Sequence, residues 1–449
     1  VATAGARYSL ENEIPRSPLA AGRETRNHPA HRLLSIGCTD VPALLIGNPN
    51  ALAIGRSVAH TTDLVPVTAQ VDLAALRHNA RLLQQKAGEA DLMAVVKADA
   101  YGHGAVPVAR ALREEGVRYF AVARPAEGIE LREAGIDDPI LVLGAPLPSQ
   151  VAAYAVHDLD VTVSSSAVAD AVITEASANR PFRVHVKIDT GMGRIGLAPE
   201  EAVAVVRRLD GAPGVVLAGL WTHFATADEP GSALTELQMD RFEAALAAVD
   251  ATAERIHAAN TGALFTLGAR LADLPAPLVR SGIALYGLAA TADLAERADL
   301  RPVMQLTATV THVKTVEAGH SVSYGATWTA STPTRIATLG VGYGDGYPRL
   351  GSGRASVGIG GELRPVAGTI CMDMCMVDLG APESDLAQRV DVGDTAVLFG
   401  RGGPSTYDVA RWAETIPYEI CCGISPRVPR RYVDASEAAS PAPSAGSPL

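Results

Sequence analysis

Leu92-Met93-Ala94-Val95-Val96-Lys97-Ala98-Asp99-Ala100-Tyr101-Gly102-His103-Gly104 is the stretch whose reading decides the fold. Five apolar residues in a row stand between Asp91 and Lys97, which reads as a strand buried on both faces in a parallel sheet wrapped by helices. In a β/α barrel the carboxyl ends of the strands floor the active site, so a lysine closing this strand stands where chemistry is done. A lone strand-end lysine commonly does no more than reach for water. Here Gly102 and Gly104 let backbone amides approach a ligand, and Tyr101 offers a hydroxyl to an anionic group at the start of the following helix.

Working outward, Ala69-Gln70-Val71 reads as a short strand, and Asp72 caps a helix whose Leu73, Leu76, Ala80 and Leu83 share one face. Downstream, short apolar runs alternate with helical patterns at Tyr119–Val122, Ile140–Leu143, Val161–Val163, Arg183–Ile188, Val215–Trp221, Arg255–Ala258 and Leu278–Arg280. With the lysine strand these make about eight. Their alternation predicts an α/β fold, a closed (β/α)8 TIM-type barrel over residues 65–302, rather than an open doubly wound sheet. No Gly-x-Gly-x-x-Gly follows the first strand to support a dinucleotide fold. From about Val303 the runs Ala308–Val313, Arg335–Leu339 and Thr395–Phe399 alternate with Gly-rich turns, which predicts a mainly β domain over 303–434. Residues 1–64, with scraps such as Leu44-Leu45-Ile46-Gly47, hold no period and are expected to form a flexible extension. The Ala, Ser and Pro of 435–449 are expected to be a disordered tail.

A length of 449 residues suggests two or three domains, and 48% apolar residues supply ample core. A formal net charge of −11 without a long Lys/Arg run argues against nucleic acid or an anionic membrane as partner and favours a small-molecule substrate. Cys38, Cys371, Cys375, Cys421 and Cys422 show no zinc-like spacing, and vicinal cysteines rarely form a relaxed disulfide. A reducing cytoplasm is therefore expected. No apolar run is long enough to span a bilayer, and no charged segment followed by an apolar core suggests secretion.

Val96 through Gly104 closely resembles the pyridoxal-phosphate lysine motif of the alanine racemases. Further segments match that family in order from about residue 66 to about 433. The resemblance implies a fold-type III enzyme in which Lys97 carries pyridoxal 5'-phosphate, with Tyr101 among the cofactor contacts. Such a cofactor needs a lysine, a cradle for its phosphate and a group facing its ring nitrogen. Asn260-Thr261-Gly262 follows a strand, where its hydroxyl and amides suit phosphate, though alone it would be a common helix cap. Arg280-Ser281-Gly282-Ile283 resembles the segment whose arginine faces the ring nitrogen while Gly282 and Ile283 donate amides to phosphate. An arginine there leaves that nitrogen largely unprotonated and restrains side reactions such as transamination.

Lys187-Ile188-Asp189-Thr190-Gly191-Met192-Gly193-Arg194-Ile195-Gly196 is the second most specific match. By resemblance Arg194 contacts the cofactor phenolic oxygen and the substrate carboxylate, and Lys187 is a position often carbamylated to hold that arginine. His223 matches the histidine that bonds the ring-facing arginine. Tyr418 matches a phosphate-binding tyrosine, the amide of Met372 a substrate-carboxylate donor, and Tyr343 the inner gate. Racemisation removes a proton from one face and returns one to the other; Lys97 supplies one base, and Tyr324, in Val322-Ser323-Tyr324-Gly325-Ala326-Thr327, resembles the second. A phenol is a poor base at neutral pH, so positive charge relayed through His223 and Arg280 has to favour its ionised form. Because Tyr324 falls in the β domain, the family arrangement implies a head-to-tail homodimer with shared sites. Thr369 departs from the pattern, standing where the family usually has an arginine in the access corridor. The implied activity is interconversion of L- and D-alanine for peptidoglycan precursors. Rivals are a serine or broad-range racemase of the same build, a decarboxylase, which would need an acidic partner for the ring nitrogen, and a non-catalytic pyridoxal-phosphate carrier on a single barrel. No metal site is expected.

Overall fold

The computed structural model describes residues 64–434, apart from Ala178 and Arg180. The expectations for 1–63 and 435–449, and Cys38, lie outside the described residues. The described chain begins with strand β1 (Val67–Asp72) and the helix Leu73–Ala87, which starts where the Asp72 carboxylate accepts from the amide of Ala75 at 2.9 Å. The helix buries Ala75, Leu76, Ala80 and Leu83.

Eight strands then alternate with helices: β2 (Asp91–Val95), β3 (Tyr119–Val122), β4 (Ile140–Val142), β5 (Asp160–Val163), β6 (Phe182–Lys187), β7 (Val215–Trp221), β8 (Arg255–His257) and β9 (Leu278–Ser281). All their ladders are parallel, in the order β8-β7-β6-β5-β4-β3-β2-β9. A parallel bridge between Ile256 and Pro277 closes the ring, with the amide of Arg280 donating to Ala259 at 3.0 Å. Residues such as Val95, Val122, Val142, Val163 and Val186 are buried, as a barrel packed on both faces requires. The eight runs read from the sequence are these eight strands.

The second domain comprises β10 (Met304–Val316), β11 (Ser321–Val322), β12 (Trp328–Thr329), β13 (Thr334–Leu339), β14 (Ser356–Ile359), β15 (Glu362–Pro365), β16 (Cys375–Gly380), β17 (Thr395–Phe399) and β18 (Arg430–Val433). Its main sheet runs β15-β14-β17-β10-β1-β18, and β13 joins β10 to β16. The boundary expected at residue 65 differs here. β1 pairs antiparallel with β10 and parallel with β18, so the first strand belongs to the C-terminal sheet and not to the barrel. The cause is its pattern: Val67, Ala69 and Val71 are buried while Thr68, Gln70 and Asp72 are half-buried. That period of two suits a sheet with one covered face, whereas a barrel strand is apolar throughout.

Candidate active site

At the end of β2 the backbone turns the wrong way for L-residues. Ala98, Asp99, Ala100 and Tyr101 hold φ between 52° and 54°, a left-handed turn running from Lys97 to Gly102. Each such residue costs about 1–2 kcal/mol, so the surroundings must enforce it. Glu127 does part of this, accepting from the amide of Ala98 at 2.7 Å with one oxygen and from those of Ala123 and Arg124 with the other. Asp99 accepts from the amide of Ala105 at 2.7 Å. His103 Nδ1 lies 3.0 Å from the carbonyls of Ala100 and Tyr101, with its ring stacked on Tyr286 at 4.5 Å. Gly102 has no room for a side chain, since a Cβ there would lie 2.2 Å from the Cys421 carbonyl oxygen. Tyr101 therefore belongs to this turn and not to the next helix, which starts at Ala105.

The turn borders a cavity of about 620 Å³ at the carboxyl ends of the strands. Lys97, Tyr101, Arg194, His223, Asn260, Thr261, Arg280, Gly282, Ile283 and Tyr418 all line it, which brings together every cofactor contact expected from the sequence. Its field is strongly positive. Burial, then the nearby Arg194, holds the Lys97 ammonium below its ordinary range. Burial and then Arg280 bring Lys187 down to about 7, and burial with Arg194 brings Arg280 to about 9. His223 falls to about 2 through burial, with Arg280 as the next cause, and is a neutral ring. Cations that depress one another in this way are a standing invitation to an anion.

The walls suit a phosphorylated ring. Gly282 must lack a side chain, because a Cβ would sit 2.4 Å from the Tyr101 hydroxyl, and the rings of Tyr101 and Tyr418 lie 6.3 Å apart. Asn260 is partly committed already: its Oδ1 accepts from the amide of Ala263 at 2.9 Å as a helix cap. Thr261 is buried beside Ser281 at 3.5 Å. Arg280 donates to the carbonyls of His257, Thr222 and Ala258 at 2.6, 2.7 and 3.1 Å, and its Nη2 lies 3.3 Å from His223 Nδ1. A lysine, a glycine-lined cradle and a fixed guanidinium meet the three needs of pyridoxal phosphate.

Three of the residues expected from the β domain lie elsewhere, while Tyr418 of the same domain lines the cavity. Tyr324 is 72% exposed, Tyr343 42% and Met372 53%, and none lines the cavity. They share a surface patch of their own. The Thr369 hydroxyl donates to the Tyr324 carbonyl at 2.8 Å, the Ser323 hydroxyl to the Thr369 carbonyl at 2.6 Å, and the amide of Tyr343 to the Cys371 carbonyl at 3.0 Å. Lys187 is buried, with Nζ donating to the Ile188 carbonyl at 3.0 Å and lying 5.0 Å from the centre of the Trp221 ring.

Several residues of the site escaped the sequence reading: Glu127, Asp160, His185, Trp221, His257 and Cys422. A signal for some of them existed. Arg183, His185 and Lys187 alternate along β6, as do Arg255 and His257 along β8, and a period of two puts such residues on one face of a strand. In a barrel that face is the interior.

A parallel β/α barrel with a lysine at a strand end, followed by a β domain, has the build of the fold-type III enzymes. The chain belongs to the alanine racemase family: residues 71–290 match the family described as alanine racemase, N-terminal domain, and residues 303–432 its C-terminal domain. It is 46% identical over 374 residues to the alanine racemase of Symbiobacterium thermophilum, covering 82% of this chain and 97% of that one. The alanine racemase of Halothermothrix orenii is 42% identical over 375 residues, with the same two coverages. Among solved structures, the alanine racemase of D-cycloserine-producing Streptomyces lavendulae superposes with a TM-score of 0.75 at 41% identity, over 82% of this chain and 97% of that one.

Proposed function

We propose that this chain interconverts L- and D-alanine with pyridoxal 5'-phosphate, as a cytoplasmic homodimer whose sites are completed by the partner's β domain, and that the D-alanine serves peptidoglycan synthesis. One observation carries the reading: Lys97 lies in a cation-rich cavity while Tyr324 stands exposed on a separate patch of the same chain. Each half of a two-base site then lacks what the other holds. The free thiols of Cys371, Cys375, Cys421 and Cys422 fit a reducing compartment.

The bound cofactor supplies an electron-withdrawing ring that acidifies the Cα–H of an amino acid joined to it. The residues of the chain supply the rest. Lys97, with its ammonium disfavoured by burial and Arg194, takes or returns the proton on one face of Cα. The partner's Tyr324 serves the other face. Its phenol, with a reference pKa of about 10, needs help to ionise. Arg280 can only donate, so His223 Nδ1 accepts, and the neutral ring keeps its proton on Nε2 as a donor for a phenolate. Arg280 in place of a carboxylate leaves the ring nitrogen largely unprotonated and restrains side reactions. Tyr101, Tyr418, Asn260, Thr261 and the amides of Gly282 and Ile283 hold the phosphate. Arg194 meets the phenolic oxygen and, with the amide of Met372, the substrate carboxylate; Tyr343 narrows the approach. Lys187, an amine brought to about 7, is the carbamylation candidate.

Purified protein supplied with the cofactor and L-alanine, followed by chiral chromatography, tests the reading. It is expected to yield equal amounts of the two enantiomers. Comparable turnover of L-serine would move the assignment to a broader racemase. A cofactor absorption band without turnover would make the protein a carrier.

A further inference from the structure

Behind the cavity, a line of polar contacts runs through the barrel interior. Arg280 Nη1 lies 3.0 Å from His257 Nδ1, His257 Nε2 lies 2.9 Å from His185 Nδ1, and His185 Nε2 lies 3.1 Å from Asp160 Oδ2. All four side chains are buried. Beyond them Asp160 Oδ1 faces Arg183 Nε at 3.5 Å, and Arg183 reaches Glu254 at 2.7 Å, half-way to the surface.

The ends of this line fix its direction. A guanidinium has only donors, so His257 Nδ1 accepts. A neutral His257 then carries its proton on Nε2 and donates to His185 Nδ1. His185, accepting there, carries its own proton on Nε2 and donates to the Asp160 carboxylate. Every donor points away from the cofactor and every acceptor toward it. Burial holds His257 well below its ordinary range, in keeping with a neutral ring. The strand between the two histidines is cut away to let them meet: a Cβ on Gly219 of β7 would lie 2.2 Å from His185 Nδ1 and 2.9 Å from His257 Nε2. Side chains that merely filled a barrel would need neither the missing Cβ nor a carboxylate at the end.

We infer that Asp160 is a positioning residue for the reaction: by accepting from His185 it sets the tautomer of both histidines, and through them aims the Arg280 guanidinium that faces the cofactor ring. That role rests on the function proposed above; the directed line of donors does not. Substitution Asp160→Asn makes the dependence visible. Arg183 favours the amide oxygen on its own side, which turns the amide NH2 toward His185. His185 Nε2 must then accept, its Nδ1–H donates to His257 Nε2, and the proton displaced to His257 Nδ1 meets a guanidinium N–H. Asp160 thus selects the polarity of the whole line.

Nitrogen-15 NMR of histidine-labelled, cofactor-loaded protein reads the tautomer of each ring. Both His185 and His257 are expected to carry the ring proton on Nε2 and to leave Nδ1 as the acceptor. In Asp160→Asn at least one is expected to change tautomer, with kcat for alanine falling about 10²-fold, as for a misaimed group, and KM little changed. An Nδ1–H ring at either position in the wild type overturns the inference, as does Asp160→Asn with both tautomers and kcat unchanged. If Asp160→Asn does not fold, the wild-type spectrum still tests the inference, since an Nδ1–H ring at either position overturns it. Tautomers as inferred in a protein that does not racemise alanine would remove the proposed function and leave the directed line standing.

Discussion

Trp221 shows how the site tolerates its own charge. Lys187 Nζ lies 5.0 Å and the Arg280 guanidinium 4.9 Å from the centre of its rings, and His257 stacks parallel to it at 5.6 Å. A π-face is one of the few apolar surfaces that attracts a desolvated cation. Of the two lysines with depressed ammonium groups, buried Lys187 and half-buried Lys97, only one is placed to react. Lys187 Nζ is engaged by the Ile188 carbonyl and Trp221, whereas Lys97 lines the cavity. Borohydride treatment of the cofactor-loaded protein, followed by peptide mapping, is expected to put the label on Lys97 and to put none on a Lys97→Ala variant. Label on Lys187 would reverse the assignment. At this scale the sequence was legible where a residue sits in a distinctive segment, as Lys97, Arg194 and Arg280 do, all three of which line the cavity. It was illegible where a role arises from contact between distant strands. His185 and His257 meet because Gly219 on an intervening strand makes room, and no local pattern reports that.

The element that decides the site is the left-handed turn after β2. Four consecutive residues with φ near 53° store strain of about 1–2 kcal/mol each, and that strain is balanced by a small set of contacts. Glu127 is the main one, since its carboxylate ties Ala98 on the turn to Ala123 and Arg124 after β3. Glu127→Ala removes three accepted hydrogen bonds, and charge-assisted bonds of this kind contribute about 1.5–3 kcal/mol apiece. Because the turn is partly open to water, a loss of about 2–3 kcal/mol in urea unfolding is the expected sum. A loss in kcat is expected beside it, since Lys97 opens the turn. Unchanged stability with unchanged kcat would mean that the turn holds itself. The eight barrel strands were legible because burial on both faces leaves an apolar run that nothing else explains. The turn was not, because Ala98-Asp99-Ala100-Tyr101 reads as ordinary right-handed helix or loop, and handedness is imposed by residues far along the chain. The place of β1 was half-legible: its alternation was on view in Val67-Thr68-Ala69-Gln70-Val71-Asp72, but the partner strands β10 and β18 lie more than two hundred residues away.

For the molecule as a whole, acid is the condition that its interior resists least. His103 and His257 are buried and His223 is half-buried, with the charged form of each ring disfavoured; loss of water holds His103 at about 4 and His223 at about 2. In the unfolded chain a histidine takes up its proton near its reference value of about 6.5. Between about pH 4 and 6.5 the unfolded chain therefore binds more protons, and stability rises with pH and is lost on acidification, by about 1.4 kcal/mol per pH unit for each such ring. Urea unfolding at about pH 7 and about pH 5 is expected to show that loss, and equal midpoints would mean that the rings are charged when folded. The larger question is whether one chain makes a site. Lys97 and Tyr324 belong to different surfaces, so a site built across a two-fold interface needs Lys97 from one chain and the partner's Tyr324. Lys97→Ala and Tyr324→Phe homodimers are each expected to be nearly inactive. When the two are unfolded together, or mixed and allowed to exchange, half of the dimers should pair one chain of each kind. Every mixed dimer then carries one site with both defects and one with neither, so about a quarter of all sites become intact. Recovery of about a quarter of wild-type turnover is the expected result in the mixture, and about half in the mixed dimer isolated by a different tag on each chain. If mixing restores nothing while sedimentation shows exchanged dimers, Tyr324 acts within its own chain, and the exposed patch of the β domain has no part in its neighbour's chemistry.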